Sequence, residues 1–142
     1  TEDPPLDRDE VARRVAELQL QPLRWPQVWP PDAQFAALSA TFAKRVGRAV
    51  AFSLAAFRQV FAGGRDLGEE NTVLIAAAAC EMHPTALLKG VGLRSVGAAL
   101  DAANQRARSA GVTSLPAIEV QGQLFPGEAG LDEAVLALGG PR

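Results

Sequence analysis

The strongest constraint on the fold is a single β-hairpin pattern near the end of a chain whose other segments have helical periodicity. Residues 117–121 alternate apolar and polar side chains, Gly122 marks a turn, and residues 123–125 resume the strand pattern. A two-stranded hairpin is at best marginally stable by itself in water. Either helices cover the hairpin on both sides, or its sheet partners lie outside this chain.

Seven segments have the apolar spacing of helices, so the predicted fold class is mostly α with one β-hairpin. Helix starts are expected at Asp7 or Asp9, at Asp32, and at His83, which precedes Pro84 and is expected to act as a helix cap. Apolar stripes mark the second helix (Phe35, Leu38, Phe42, Val46), the third (Val50, Leu54, Phe57, Phe61), the sixth (Val96, Leu100, Ala103, Ala107) and the last (Leu131, Val135, Leu138).

Composition limits the partners and the location of the chain. The 142 residues are 48% hydrophobic and carry a net charge of -2, which predicts one globular domain or a fragment of one, with no nucleic-acid or membrane partner. The longest apolar run, Val73 to Cys80, is too short to cross a bilayer and predicts a buried helix. The chain begins at Thr1 without a signal pattern, so we expect a cytoplasmic protein that is a processed form or a piece of a longer chain.

The residue types that commonly carry catalysis are sparse. Cys80 lies near the end of an apolar helix, which favours a small buried side chain over a nucleophile. No carboxylate or serine is spaced to orient His83, so capping is the simpler role. Trp25 and Trp29, among prolines, either pin a loop to the core or line a ligand groove. We therefore predict no catalytic residue and no metal site within the chain.

The segment from Gly111 to Val120 carries the sharpest functional signal. A helix ends at Gly111, four residues follow, and Pro116 opens a strand. A cis bond is tolerated at such a proline and would expose the backbone of Leu115 to an extended, peptide-like ligand. An ordinary trans proline before an edge strand is the alternative. Glu128, after the hairpin, either holds a ligand amine or caps the last helix, and capping is the simpler interpretation.

Residues 111–120, followed by Gly122 to Gly127 and Leu131, resemble the C-terminal end of the DsbA-like thioredoxin superfamily. The resemblance is closest to the branch of 2-hydroxychromene-2-carboxylate isomerases and kappa-class glutathione transferases, in which a loop of this pattern carries a cis-proline. The segment from Leu20 to Asp32, rich in proline, and the segment from Phe57 to Glu70 also resemble that branch. The resemblance covers about residues 9–138.

The resemblance implies an α/β thioredoxin-like fold with a helical insertion, of which this chain is the C-terminal portion. Residues 9–110 would be the insertion, and residues 111–142 the cis-proline loop, hairpin and last helix. The family's first strand–helix–strand, which bears its CxxC pair or its single serine or cysteine, has no counterpart here. Ser114 stands where glycine is common, and Glu128 stands one place before the acidic residue of the glutathione-dependent members.

The resemblance therefore implies part of a thiol–disulfide oxidoreductase or a glutathione-dependent isomerase whose nucleophile lies outside this sequence. Ser114, Leu115, Pro116 and Glu128 would bind a thiol or disulfide in a small molecule or peptide, with glutathione as the candidate cofactor. An N-terminal half or another chain would complete the sheet, and a homodimer is a further alternative. The rival interpretation is a non-catalytic helical module that binds a partner, or a fragment of an inactive relative.

Overall fold

The computed structural model describes residues 6–140 and divides the chain into two compact units. The first unit comprises Asp7–Leu100, and the described part of the second comprises Leu6 and residues 101–140. These residues form seven helices and one antiparallel hairpin, which confirms the predicted fold class. The elements are α1 (Arg8–Glu17), α2 (Gln34–Arg45), α3 (Ala49–Phe61), α4 (Glu70–Ala79), α5 (Pro84–Val91), α6 (Arg94–Ser109), β1 (Ala117–Val120), β2 (Gln123–Pro126) and α7 (Gly130–Ala137).

Local capping chemistry determines where several helices begin. The Asp7 carboxylate accepts hydrogen bonds from two backbone N–H groups in the first turn of α1. The His83 Nδ1 accepts one from the Thr85 N–H at 3.1 Å, as expected of a capping residue before Pro84. Asp32 stands one residue before the N-cap of α2, which is Ala33, so its predicted position was wrong by one residue, but its carboxylate accepts from the first helical N–H, that of Gln34, at 3.2 Å.

Small side chains build the core of the first unit from α2, α3, α4 and α5. Alanine lets helix backbones approach closely, and Gly90 on α5 lies directly against the ring of Phe42 on α2. Cys80 is buried with a free thiol, as the apolar run predicts, and its Sγ lies 3.3 Å from the Ala77 carbonyl oxygen. The buried core residues are Ala36, Ala43, Phe52, Ala55, Ala56, Val73, Ala76, Ala77, Cys80, Met82 and Leu87.

The apolar stripe of α3 is not its buried face. Val50 is 74% exposed, Leu54 51% and Phe57 57%. The helix instead packs through the opposite face, which is also apolar, and whose buried residues are Phe52, Ala55, Ala56 and Val60. A helix that is apolar on both sides is typical of one covered on both sides.

The proline-rich loop before α2 is pinned to the end of α3 by aromatic side chains. Trp25 packs edge-on against Trp29, with ring centroids 5.2 Å apart, and against Phe61 at 5.8 Å. The Arg24 N–H donates to the Phe61 carbonyl at 2.7 Å. These contacts support the pinned-loop interpretation of the two tryptophans.

The second unit is organised around the hairpin. Its turn, Gln121-Gly122, has φ of 51° and 81°, and two positive values are typical of a type I′ turn. Gln121 therefore belongs to the turn, whereas the alternation had placed it in the strand. α7 packs on one face of the hairpin, where Val120, Phe125 and Ala134 form a small core. The stripe of α7 (Leu131, Val135, Leu138) is exposed.

Candidate functional site at the Pro116 loop

The loop before β1 presents backbone groups to its surroundings. Ser114 is half-buried, Leu115 is 74% exposed, and the Leu115–Pro116 peptide bond is cis. Within residues 6–140, no backbone hydrogen bond engages the N–H or the C=O of Leu115. An extended ligand could therefore pair with both groups of Leu115 without displacing an existing partner.

A backbone hydrogen bond brings the segment after β2 to this loop. The Gly127 N–H donates to the Pro116 carbonyl at 2.9 Å, and the exposed Glu128 follows at once. The N-cap of α7 is Ala129 rather than Glu128, while the Glu128 carbonyl accepts from the Leu131 N–H at 3.1 Å. The structure thus holds Gly127, the residue before Glu128, against Pro116.

The register of the hairpin decides which backbone groups of β1 face outward. With a two-residue turn, the flanking pair Val120 and Gln123 is the hydrogen-bonded pair, and bonded and non-bonded pairs then alternate. Glu119 and Ala117 fall at non-bonded positions, so their N–H and C=O groups point away from β2. The hydrogen bond from the Gly127 N–H to the Pro116 carbonyl falls at the next hydrogen-bonded position that this alternation predicts.

The two outer edges of the hairpin differ chemically. On β1, the backbone N–H and C=O groups of Ala117 and Glu119 face outward, and both residues have an N–H to donate. β2 has Pro126 at an outward-facing position, and proline carries no N–H. The edge of β1 is therefore the better template for a further strand. Sequence inspection missed this asymmetry, although the position of the turn relative to Pro126 encodes it.

An open hollow of about 820 Å³ lies between the C-terminal half of α6 and the hairpin face opposite α7. Small side chains of α6, including Ala103 and Ala107, form one wall, and Ala117, Glu119 and Leu124 form the other. Arg106 is the cation in this lining. The hollow adjoins the outward-facing edge of β1, so a strand added there would also gain a surface to pack against.

The remaining candidates for chemistry lie away from this loop in sequence and belong to the first unit. Cys80 is buried in the helical core, and the His83 ring nitrogen is occupied as a cap. Across residues 6–140, no group of three or more His, Cys, Asp or Glu side chains could hold a metal ion. In the same residues, no helix has the length and apolar character needed to cross a membrane.

Comparison with known families agrees with the loop and the fold. The model of the DSBA-like thioredoxin domain matches residues 10–139. The chain belongs to this family. Membership confirms the superfamily to which the loop, the hairpin and the helical segment pointed, and it accounts for a mostly helical chain that ends in a hairpin and a helix. A comparison with curated proteins gives no match.

Glutathione, the cofactor that the resemblance implies, matches the residues around the loop only in part. Its cysteinyl backbone suits the N–H and C=O of Leu115, and its ammonium group suits the carboxylate of Glu128. Its two carboxylates require cations, and the lining of the neighbouring hollow offers one, Arg106.

Proposed function

We propose that this chain is the helical and C-terminal portion of a DsbA-like thiol–disulfide oxidoreductase or glutathione-dependent isomerase. Its role is to bind a thiol-bearing ligand at Ser114, Leu115, Pro116 and Glu128, while the nucleophile comes from outside these residues. The branch of 2-hydroxychromene-2-carboxylate isomerases and kappa-class glutathione transferases is the proposed relation, and the cytoplasm is the proposed location.

The observation that carries this proposal is that Leu115, beside Pro116, is an exposed residue whose backbone N–H and C=O make no backbone hydrogen bond within residues 6–140. A cysteine within an extended segment could form two main-chain hydrogen bonds there, which would hold its sulfur at a fixed distance from the loop. Fixed placement of the reacting sulfur is what thiol–disulfide exchange requires, because the attacking thiolate must approach one particular sulfur atom. The carboxylate of Glu128 would attract the ligand's amino group.

The proposal includes a further strand on the outward-facing edge of β1. Ala117 and Glu119 offer the main-chain groups, Pro126 blocks the other edge, and the hollow beside α6 offers packing surface. The strand would come from an N-terminal half or from another chain. A completed sheet would also stabilise a hairpin that is marginal as a pair.

A binding experiment tests the ligand site. The chain, labelled with nitrogen-15, is titrated with a short cysteine-containing peptide that has a free amino group and an amidated C-terminus. We expect the amide resonances of Leu115 and Gly127 to shift, and Glu128→Gln to weaken binding about fivefold, since one exposed charge pair is lost. The matched control is Glu133→Gln, which removes a carboxylate on α7. If the peptide shifts other resonances but leaves the Leu115 amide resonance unchanged, the proposed site is refuted.

An activity assay tests the claim that the nucleophile lies elsewhere. Insulin reduction and glutathione-dependent isomerisation should both give no turnover with these 142 residues alone, because the one cysteine, Cys80, is buried. Turnover that disappears in Cys80→Ala would show that the chain contains its own nucleophile. Titration with glutathione in place of the peptide separates the two ligand classes.

The second candidate is a non-catalytic helical module that binds a protein partner. The exposed apolar stripe of α3 favours it, since Val50, Leu54 and Phe57 form a continuous surface on one helix. A chain that fails to shift at Leu115 with any thiol ligand, yet associates through this stripe, would support the module over the oxidoreductase.

A further inference from the structure

A small apolar pocket of about 200 Å³ lies between α1 and the chain segment that follows it. Its walls are formed by Ala12, Val15 and Ala16 of α1 and by Leu20, Leu23 and Trp25 of that segment. Leu20 is 58% exposed, so the pocket is open to solvent. Within residues 6–140, α1 packs against no other helix or strand, and this segment is what its apolar side contacts.

The lining of the pocket favours an alkyl chain. Every side chain in it is aliphatic except that of Trp25, and the Leu20 N–H already donates to the Val15 carbonyl at 2.9 Å. Water inside would therefore find few hydrogen-bond partners, and its replacement by an alkyl chain is favourable. An apolar cavity of about 150 Å³ holds the six carbons of benzene. At the same space per carbon, this pocket holds about eight carbons.

A cation stands at one end of this apolar lining. The Arg8 guanidinium carbon lies 4.7 Å from the centroid of the Trp25 ring. Arg8, Ala12 and Val15 follow one another at steps of four and three residues, so they lie on one face of α1. Arg8 is exposed and, within residues 6–140, makes no ion pair. Contact with the ring face leaves the N–H donors at the edge of the guanidinium able to bind a carboxylate.

The acidic residues around Arg8 do not occupy its guanidinium. The Asp7 carboxylate accepts from two N–H groups in the first turn of α1, and the Glu10 carboxylate accepts from Arg13. Asp9 follows Arg8 directly, and adjacent residues on a helix do not face each other. The Arg8 guanidinium is therefore available to an anionic ligand.

We infer that this pocket binds a linear carboxylic acid of about eight carbons. The alkyl chain lies among the aliphatic side chains, and the carboxylate accepts hydrogen bonds from the Arg8 guanidinium. An anionic head group is favoured because the cation Arg8 contacts a ring of the lining. The site lies within the first unit, and it is independent of the thiol chemistry proposed above.

Titration with a series of straight-chain acids tests the site. The chain, labelled with nitrogen-15, is titrated with butanoate, hexanoate, octanoate and dodecanoate below their micelle-forming concentrations. We expect shifts at the amide resonances of Val15 and Leu23 and at the indole resonance of Trp25. Affinity should rise about fourfold for each added carbon while the pocket fills, since each methylene is then buried, and it should level off beyond octanoate.

Two substitutions test the two parts of the pocket. Ala12→Leu should weaken octanoate binding at least about tenfold, because the added side chain takes the space of several ligand carbons. Arg8→Gln should weaken octanoate binding about fivefold, since one exposed charge pair is lost, and should leave 1-octanol binding unchanged. The matched controls are Ala98→Leu and Arg94→Gln, which alter exposed residues of α6 outside the pocket and should leave binding unchanged. Circular dichroism verifies that all four variants remain folded.

The inference is overturned if octanoate at millimolar concentration shifts none of these resonances, or if the shifts persist undiminished in Ala12→Leu. An affinity that rises as steeply from octanoate to dodecanoate as it does from butanoate to octanoate would indicate adsorption to an open surface, and it would also overturn the pocket. If Arg8→Gln changes octanoate and 1-octanol binding equally, the carboxylate does not bind Arg8, and the assigned class of ligand is wrong.

Discussion

Substitution of Gly90 by alanine tests whether the core of the first unit depends on close approach of α5 to α2. A Cβ atom at Gly90 would lie 2.3, 2.4 and 2.7 Å from three ring carbons of Phe42. Carbon atoms pack best about 3.5–4.0 Å apart, so the ring would have to move by more than about 1 Å. The ring is half-buried and packs against the buried core of the first unit, where free volume is small.

The magnitude follows from two opposing effects. Overpacking a core costs about 1–3 kcal/mol, and the severity of this clash indicates the upper end. Replacing glycine by alanine inside a helix returns about 1 kcal/mol. We therefore expect Gly90→Ala to lower the free energy of unfolding by about 2 kcal/mol. With a slope of about 2 kcal/mol/M, the urea midpoint falls by about 1 M.

Gly97 provides the matched control, since it lies inside α6 and a Cβ there meets no atom within 4 Å. Gly97→Ala should raise the urea midpoint by about 0.5 M through helix propensity alone. In a Phe42→Leu background, the cost of Gly90→Ala should fall by at least about 1 kcal/mol, because the two sites are in contact. A Gly90→Ala variant as stable as Gly97→Ala would refute the steric argument.

Three further predictions follow from single side chains. Thr72 is fully buried, and its hydroxyl has no hydrogen-bond partner among the described residues. Thr72→Val should therefore raise the free energy of unfolding, measured by urea denaturation, by about 1–2 kcal/mol. A lower free energy of unfolding in the variant would show that the hydroxyl does have a partner. His83→Ala should lower it by about 1 kcal/mol because the Thr85 N–H loses its cap, whereas His83→Asn should retain most of the stability. The Arg13 guanidinium donates to the Glu10 carboxylate and lowers its pKa. The resulting contribution to α1 is present above the ordinary pKa of a glutamate and is lost as the pH falls through the lowered value. Carboxyl NMR should find the lowered pKa, and Arg13→Gln should remove most of the shift and leave the smaller effect of the nearby Arg14.

The presence of the helices could be predicted from the sequence because the residues that begin and end a helix act on nearby backbone groups. Asp7, His83 and the glycines after α3 act through atoms within a few residues of themselves, so their effects are visible in sequence order. Asp32 shows the limit of that reasoning. Its carboxylate accepts from the Gln34 N–H at 3.2 Å, one residue earlier than an N-cap would stand. A side chain that suits a cap does not by itself fix the residue at which helical dihedrals begin.

The loop before β1 could be anticipated from spacing, but the outward-facing edge of β1 could not. A helix that ends just before Gly111 and a proline five residues after that glycine are enough to place Leu115 in the loop that leads into a strand. Which backbone groups face outward depends on the turn. Because Gln121 belongs to the turn and not to the strand, Val120 and Gln123 form the hydrogen-bonded pair. If the turn lay one residue further along the chain, the N–H of Glu119 would point toward β2. The alternation of side chains specifies which residues lie on each face of the hairpin, whereas the position of the turn specifies which backbone groups lie at its outer edges.

The stripes of α3 and α7 show why apolar periodicity identifies a packing face without identifying its partner. Each stripe has the spacing of a buried helix face, yet Leu54 and Val135 are exposed, and the buried contacts use other residues of the same helices. Hydrophobic burial depends on the area removed from water and not on which molecule removes it. A stripe that the fold leaves exposed therefore retains its drive for association.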